Sequence, residues 1–174
     1  TEWRTNGQIK QEGNYKNGIK DGIWTDWHDN GQKQQERNYK SDILNGKSTE
    51  WHKNAQIKQE GNYKNGIKDG VWTDWHDNGQ KQYEKNFKEG KQVSQTNYQY
   101  YENGQIRFEK NYKDGKTDGK WTYWYENGQI QFEKNYKDGK ADGKWTYRYE
   151  NGQIEKEGNY KDDKLDGKRY LIHI

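Results

Sequence analysis

The sequence predicts an all-β protein: an elongated, single-layer antiparallel meander of tandem β-hairpins, drawn out as a curved or twisted ribbon. Three observations predict it. A 24-residue period runs through the chain. An Asn-Gly pair recurs between runs of β-prone residues. Aromatic and polar residues alternate along those runs, and no helical periodicity appears.

The period comes first. Turn glycines fall at Gly7, Gly31, Gly79, Gly104, Gly128 and Gly152, and Ala55 holds the place of the missing one. The steps are 24 residues, with a single step of 25 between Gly79 and Gly104. The same ruler catches Tyr15, Tyr39, Tyr63, Phe87, Tyr112, Tyr136 and Tyr160, and the glutamates from Glu12 to Glu157. Seven units therefore fill residues 1–174 as one repeat domain. They lie near 1–20, 21–44, 45–68, 69–92, 93–117, 118–141 and 142–165, and 166–174 form a terminal partial unit or cap. A 48-residue period overlies the first. "QIKQEGNYKNGIKDGIWTDWHDNGQKQ" from Gln8 recurs from Gln56 with one change, Ile23 to Val71, which looks like a recent duplication. The extra residue in "EGKQVSQTNYQYY" predicts a bulge or a local change of curvature.

Within a unit, "KWTYWYE" leads to Asn127-Gly128 and then "QIQFEKNY". Asn-Gly between β-prone runs predicts a two-residue type I′ turn, with φ > 0 at both central residues. The register follows. Glu126 faces Gln129, Tyr125 faces Ile130, Trp124 faces Gln131, Tyr123 faces Phe132, Thr122 faces Glu133 and Trp121 faces Lys134. Alternation then sorts the side chains. Tyr125, Tyr123, Trp121, Ile130, Phe132 and Tyr136 share a packing face; Trp124, Thr122, Gln131 and Glu133 share a polar one. The equivalent hairpin turns are Asn6-Gly7, Asn30-Gly31, Asn78-Gly79, Asn103-Gly104 and Asn151-Gly152. Thr25, Thr49, Thr73 and Thr146 are expected opposite Glu36, Glu60, Glu84 and Glu157. Trp24 and Trp72 are expected opposite Arg37 and Lys85, with the cation over the indole. The "NYKDGKxDG" segments supply a second turn, giving a meander of about 14 strands. Asp26 and His28 stand where Tyr123 and Tyr125 stand later, so the amino-terminal half should have the wetter packing face and the lower stability.

Composition narrows the class. Only 26% of residues are hydrophobic and 34% are charged, but 9 Trp and 15 Tyr argue against disorder. Large rings must do the packing. The net charge of +3 is spread over interleaved Lys and Glu, which argues against nucleic acid. No Cys is present, excluding disulfides and thiolate metal sites. No apolar run has the length of a bilayer-spanning helix. The chain begins at Thr1 without Met, which fits removal of an upstream segment such as a signal peptide. A secreted or cell-surface location is thereby favoured over the cytoplasm.

Candidate chemistry is thin. His28 and His76 sit in identical "WTDWHDNG" contexts, yet alternation splits the neighbouring aspartates between faces, so solvated or Lys-facing histidines are expected and no metal site. His52 and His173 add no partner pattern. The calcium nonapeptide is absent, as are nucleophile and phosphate-loop motifs. No catalytic residue and no cofactor is expected. The set that stands out is one aromatic per unit on the polar face: Trp3, Trp27, Trp51, Trp75, Tyr100 and Trp124, interrupted by Arg148. Each ring either packs on its own unit's Gln or Lys or contacts a partner. For the second reading Trp27 and Trp75 are the first candidates, then Tyr100 and Trp124.

At "DGKWTYWYENGQIQFEKNYKDGK" the sequence resembles the MORN repeat family (membrane occupation and recognition nexus), and most of all its bacterial variant repeat, of the kind labelled YwqK-type antitoxin. The shared elements are the Gly-x-Trp opening, the Tyr-x-Asn-Gly turn and the Glu-x-Asn-Tyr-Lys-x-Gly second strand, and they cover nearly the whole chain. Departures are Ala55, "KSDILNGK" from Lys40 to Lys47, and the stretch near Val93. The resemblance implies a single-layer antiparallel sheet serving as a scaffold or a protein- or lipid-contacting module. The function expected is therefore non-enzymatic binding of another protein, host or toxin, through the aromatic face, at a bacterial surface. The alternatives are an antitoxin that neutralises a toxin by direct binding, and a glycan- or lipid-surface module. The open sheet edge, or the apolar "YLIHI" at the end, is expected to offer a homodimer strand or an edge cap.

Overall fold

The structure, a computed structural model, describes the backbone of residues 1–171 and the side chains of residues 1–167. Residues 172–174 of "YLIHI" lie outside the described residues, and so does the edge role expected of that run. Every described element is a strand. They are β1 (Glu2–Trp3), β2 (Ile9–Lys16), β3 (Ile19–Trp27), β4 (Lys33–Lys40), β5 (Ile43–Trp51), β6 (Ile57–Lys64), β7 (Ile67–Trp75) and β8 (Lys81–Lys88), then β9 (Lys91–Tyr100), β10 (Ile106–Lys113), β11 (Lys116–Trp124), β12 (Ile130–Lys137), β13 (Lys140–Ala141), β14 (Gly143–Arg148), β15 (Ile154–Lys161) and β16 (Lys164–Leu171). They follow one another in an antiparallel meander that does not close. The count is 16 rather than about 14 because Asp142 interrupts one strand into β13 and β14, and the partial eighth unit supplies β16. Two compact units divide the chain, Thr1–Val93 and Ser94–Ile174, and the boundary falls in the irregular stretch. There β9 runs 10 residues where β3, β5, β7 and β11 run nine.

Two kinds of turn alternate, and the sequence reading assigned the type I′ turn to the wrong one. It belongs to the connecting segments. Asn17 (φ 52°) and Gly18 (φ 79°) both take positive φ, and Lys16 faces Ile19 across them. Asn65-Gly66, Asp114-Gly115 and Asp138-Gly139 repeat this geometry, and Ser41-Asp42 manages it without glycine. At Asn127-Gly128 only the glycine has positive φ (84°). Gly128 N–H donates to Tyr125 O at 2.9 Å and Tyr125 N–H donates to Gln129 O at 2.8 Å. That is a three-residue loop, a type I turn closed by a left-handed glycine. The asparagine is there for its side chain: Oδ1 of Asn127 accepts from Gln129 N–H at 2.9 Å, an Asx turn.

The outer register expected for this hairpin is therefore overturned. Tyr125 closes on Gln129, and Trp124 faces Ile130 rather than Gln131. A second irregularity follows at Gln131 and restores the count. Tyr123 then faces Phe132, Thr122 faces Glu133 and Trp121 faces Lys134, as expected. The inner pairs came out right because two one-residue offsets cancel. Thr25, Thr49, Thr73 and Thr146 likewise face Glu36, Glu60, Glu84 and Glu157.

Ala55 shows the same loop without its glycine, at φ 67°. An alanine Cβ is strained there. Ala55→Gly is expected to raise stability by about 0.5–1 kcal/mol, read as a higher urea midpoint.

The core is a set of tryptophans packed between rings. In the first unit Trp24 is 4% exposed and Trp72 2%. Tyr15 and Tyr39 flank Trp24 at 4.9 and 6.4 Å, and Tyr63 and Phe87 flank Trp72 at 5.0 and 6.5 Å. The expected pairing with Arg37 and Lys85 holds, but the cations over the rings are others. Lys20 lies 4.1 Å over Trp24 and Lys68 lies 3.9 Å over Trp72. Burial pushes the Lys68 ammonium below its ordinary pKa. Arg37 and Lys85 instead reach Asp26 and Asp74 at 2.7 and 2.9 Å. In the second unit Tyr112, Trp121, Tyr136, Trp145 and Tyr160 form one ring-to-ring ladder, with successive centroids 4.4–5.6 Å apart.

The depth of these indoles is set from the preceding strand. Gly13 lies opposite Trp24, and both Gly13 and Gly61 have an indole resting on their backbone: a Cβ on either would overlap the Trp24 or Trp72 ring. In the second unit Lys110 lies opposite Trp121, and that ring stays half-buried. The wetter face expected of the amino-terminal half is present in the neighbouring row only. There Gln11, Asp26 and Arg37 form a hydrogen-bonded chain, as do Gln59, Asp74 and Lys85. The same register of the second unit holds Phe108, Tyr123, Phe132 and Tyr147 in ring contact. The deepest tryptophans nevertheless belong to the amino-terminal half.

Candidate interaction face

The threonines define the opposite face. It was expected to be polar, and on it Thr25, Thr49, Thr122 and Thr146 are among the most buried residues. Each short hydroxyl stands between longer side chains on both neighbouring strands. Glutamates flank it, as Glu36 and Glu60 flank Thr49, and lysines bridge over them, Lys47 to Glu60 at 2.9 Å and Lys120 to Glu133 at 2.9 Å. The Lys120 hydrogen bond holds the Glu133 carboxyl below the usual carboxylate range. Where the bridging lysine is replaced by Ile23 or Val71, the glutamate pairs sideways, Glu36 with Lys33 and Glu84 with Lys81. Ile23 and Val71 are each left 51% exposed.

The tryptophan row lies on this face. Alternation puts Ile23, Thr25 and Trp27 together, and Val71, Thr73 and Trp75. A shallow depression of about 350 Å³ is lined by Val71, Thr73 and Trp75 with Glu60 and Lys47. Trp3 is 60% exposed, whereas Trp27, Trp51 and Trp75 are half-buried. Their cross-strand neighbours are Ile9, Lys33, Ile57 and Lys81. The row thus stands opposite Ile or Lys, not Gln or Lys as the two-residue turn implied, and Lys33 Nζ lies 5.7 Å over the Trp51 ring. In the second unit the row is Tyr100, Trp124 and Arg148, opposite Ile106, Ile130 and Ile154.

The main chain of the row is anchored from the preceding hairpin. His28 Nε2 lies 3.0 Å from Trp51 O, and His52 Nε2 lies 3.0 Å from Trp75 O. Arg4 serves Trp27 in the same way, and the hydroxyls of Tyr101 and Tyr125 serve Trp124 and Arg148 at 2.6 and 2.7 Å. His28, expected to be solvated or Lys-facing, is a link between successive hairpins, and so is His52, for which no partner was expected. The loop asparagines add a second link, Asn30 Nδ2 to Lys53 O at 2.7 Å and Asn127 Nδ2 to Glu150 O at 3.0 Å. The sequence carried a signal for both links: Arg, His or Tyr stands two residues before the loop asparagine of each of the seven units.

The two tryptophans of a unit differ in one further respect. Every core indole donates its Nε1–H to a carbonyl: Trp24 to Asn14, Trp72 to Asn62, Trp121 to Asn111 and Trp145 to Asn135, at 3.0–3.2 Å. Among the described residues, the indoles of Trp27, Trp51, Trp75 and Trp124 make no such bond. No group of three or more His, Asp or Glu among the described residues is placed to hold a metal ion.

A repeated hairpin with a ring on one face and a second ring on the opposite face defines a tandem β-hairpin repeat protein. Seven successive segments match the MORN repeat variant, at residues 1–17, 20–41, 44–65, 68–89, 96–114, 117–138 and 141–162, and the chain belongs to that family. MORN repeats generally build binding scaffolds, typically without catalytic activity. No curated protein matches the chain. Among solved structures, a chain described as "Crystal structure of GtfA/B complex bound to UDP and GlcNAc" is similar over 70% of this chain and 22% of its own length, at 13% identity and a TM-score of 0.26. The present chain thus spans about a fifth of that one.

Proposed function

We propose that the chain is a non-enzymatic scaffold that binds another protein through the tryptophan row of its first unit, centred on Trp27, Trp51 and Trp75 with Ile23 and Val71 beside them. The observation that supports this reading most is the division between the tryptophans. The core indoles all have acceptors, and the row indoles keep theirs unpaired on a face that also exposes two β-branched apolar side chains. Tryptophan is enriched among the anchors of protein interfaces, where its ring is buried and its N–H finds a partner. Main-chain anchoring by Arg4, His28 and His52 holds the row in place before a partner arrives, which lowers the ordering cost of binding. Tyr100 and Trp124 extend the same row type in the second unit.

The test is Trp75→Ala. Binding to a partner identified by capture and then purified should weaken by about 2 kcal/mol or more, with the β-sheet circular dichroism unchanged. Unchanged affinity, or loss of the β signal, contradicts the proposal. Growth rescue on co-expression with a toxin would make the partner a toxin; quenching of tryptophan fluorescence by oligosaccharides, without any protein partner, would replace this reading by a glycan one.

A further inference from the structure

We propose that Asn17 and Asn65, the asparagines of two type I′ turns, are sites of spontaneous deamidation in the folded protein, while the fold protects the asparagines of the three-residue loops. Asn17, Asn65, Asn30 and Asn127 are all followed by glycine, whose lack of a Cβ opens the way to the reaction. The glycine nitrogen attacks the asparagine Cγ and forms the C–N bond of a five-membered succinimide. The bond from Cγ to the side-chain nitrogen breaks, and that nitrogen leaves as ammonia with the proton from the glycine N–H. Water then opens the ring at either carbonyl, giving aspartate or isoaspartate. Water is the only co-reactant.

The loops block this at three points. Asn30 Oδ1 accepts from Gln32 N–H at 3.1 Å, its Nδ2 donates to Lys53 O at 2.7 Å, and Gly31 N–H donates to His28 O at 3.1 Å. Asn127 and Gly128 are held by the same three bonds. The nucleophile and both ends of the amide are therefore tied, and attack needs local opening of the loop. The type I′ turns hold much less. The Asn65 side chain makes no hydrogen bond; the backbone is tied through Gly66 N–H, which donates to Leu44 O at 2.8 Å, and Asn65 N–H, which donates to Asn45 Oδ1 at 3.4 Å. At Asn17-Gly18 neither the side-chain amide nor the glycine N–H has a partner, and both residues are exposed.

The products also differ in fit. Aspartate already occupies the same turn place at Asp114-Gly115 and Asp138-Gly139, with φ of 47° and 78° and of 50° and 92°. A deamidated Asn17 or Asn65 has a built precedent in the second unit. A deamidated Asn127 would lose the Nδ2 donor and set a carboxylate against the Glu150 carbonyl. Conversion of both turn sites takes the formal net charge from +3 to +1, since 3 − 2 = 1.

The experiment ages the folded chain in mildly alkaline buffer, then cuts it at glutamate. Peptides 13–36 and 61–84 differ at two places, Ile23 against Val71 and Gln35 against Tyr83, and so separate, and each contains one turn asparagine and one loop asparagine. Fragmentation mass spectrometry places the mass gain. Asn17 is expected to convert at least about tenfold faster than Asn30 in the folded chain, as the loss of even one or two net hydrogen bonds implies. Asn65 should fall between them. In urea-denatured chain Asn17 and Asn30 should convert at similar rates, because both are Asn-Gly. Equal rates in the folded chain overturn the proposal, and so does an Asn17 that stays intact when folded but converts when denatured.

Discussion

Trp72→Ala is expected to lower stability by about 3–5 kcal/mol, the range for removing a buried large ring. Trp72 is the largest fully buried side chain, at 2% exposure. Its removal takes away two edge-on ring contacts, from Tyr63 and Phe87, and the surface under the Lys68 ammonium. It also leaves the Asn62 carbonyl without its indole donor. A single-layer sheet has no second layer to collapse into the space, so the loss stays near the upper part of the range. A urea titration followed by circular dichroism reads it. Trp75→Ala, three residues on but on the opposite face, should shift the same midpoint far less, since its indole is half-exposed and carries no hydrogen bond. Equal shifts for the two would mean that the division between core and row is wrong.

Gly61→Ala is the second large effect, expected at about 2–3 kcal/mol. Its φ is not the reason, because Gly61 lies in extended β6 and is absent from the positive-φ glycines. The reason is the indole that lies on it: a Cβ there would overlap Cδ2, Cε2 and Cγ of Trp72. The ring must then tip away from the sheet. The second unit shows what tipping looks like, since Lys110 opposite Trp121 leaves that indole half-buried. The variant is therefore expected to fold, with a lower urea midpoint and a red-shifted tryptophan emission. A midpoint equal to that of the parent would show that the close approach is not a constraint.

Much of this fold could be read from the sequence, because tandem repetition averages out local ambiguity. Seven copies of one pattern fix period, strand class and the inner register of each hairpin. What failed was turn chemistry. Asn-Gly and Asp-Gly are both good type I′ candidates; Asn-Gly stands in most of the loops, and Asn-Gly or Asp-Gly stands in four of the connecting turns. Nothing local says which pair takes positive φ at both residues. The answer lies between units: Asn30 and Asn127 are committed to carbonyls 23 residues away, which needs the three-residue loop. The slip at Gln131 was equally hidden: the three-residue loop moved Trp124 from Gln131 to Ile130, and the slip returned the inner pairs to the expected register.

The glycines beneath Trp24 and Trp72 were legible in principle. "EGNY" stands at 12–15 and 60–63, where four of the other units carry Arg or Lys in place of the glycine, and the deeper indoles, Trp24 and Trp72, follow the glycine. Their meaning needed the cross-strand geometry, since a glycine in mid-strand reads equally well as a bulge. The histidine links were missed for a similar reason. His28 and His52 bond to the next hairpin and not to anything in their own, so a search for ligands within one unit could not find their partners. The tryptophan row itself was found by period and alternation, and the structure adds the unpaired indole donors.

One measurement bears on the whole account: deuterium exchange of the nine indole N–H groups, followed by NMR of the folded protein. The division of labour predicts two classes. Trp24, Trp72, Trp121 and Trp145 donate to Asn carbonyls and should exchange slowly. Trp3, Trp27, Trp51, Trp75 and Trp124 should lose their signals within the first spectra. Nine indoles of uniform protection, or a row tryptophan as slow as Trp72, would contradict a sheet whose one face is packed by tryptophan and whose other face presents it.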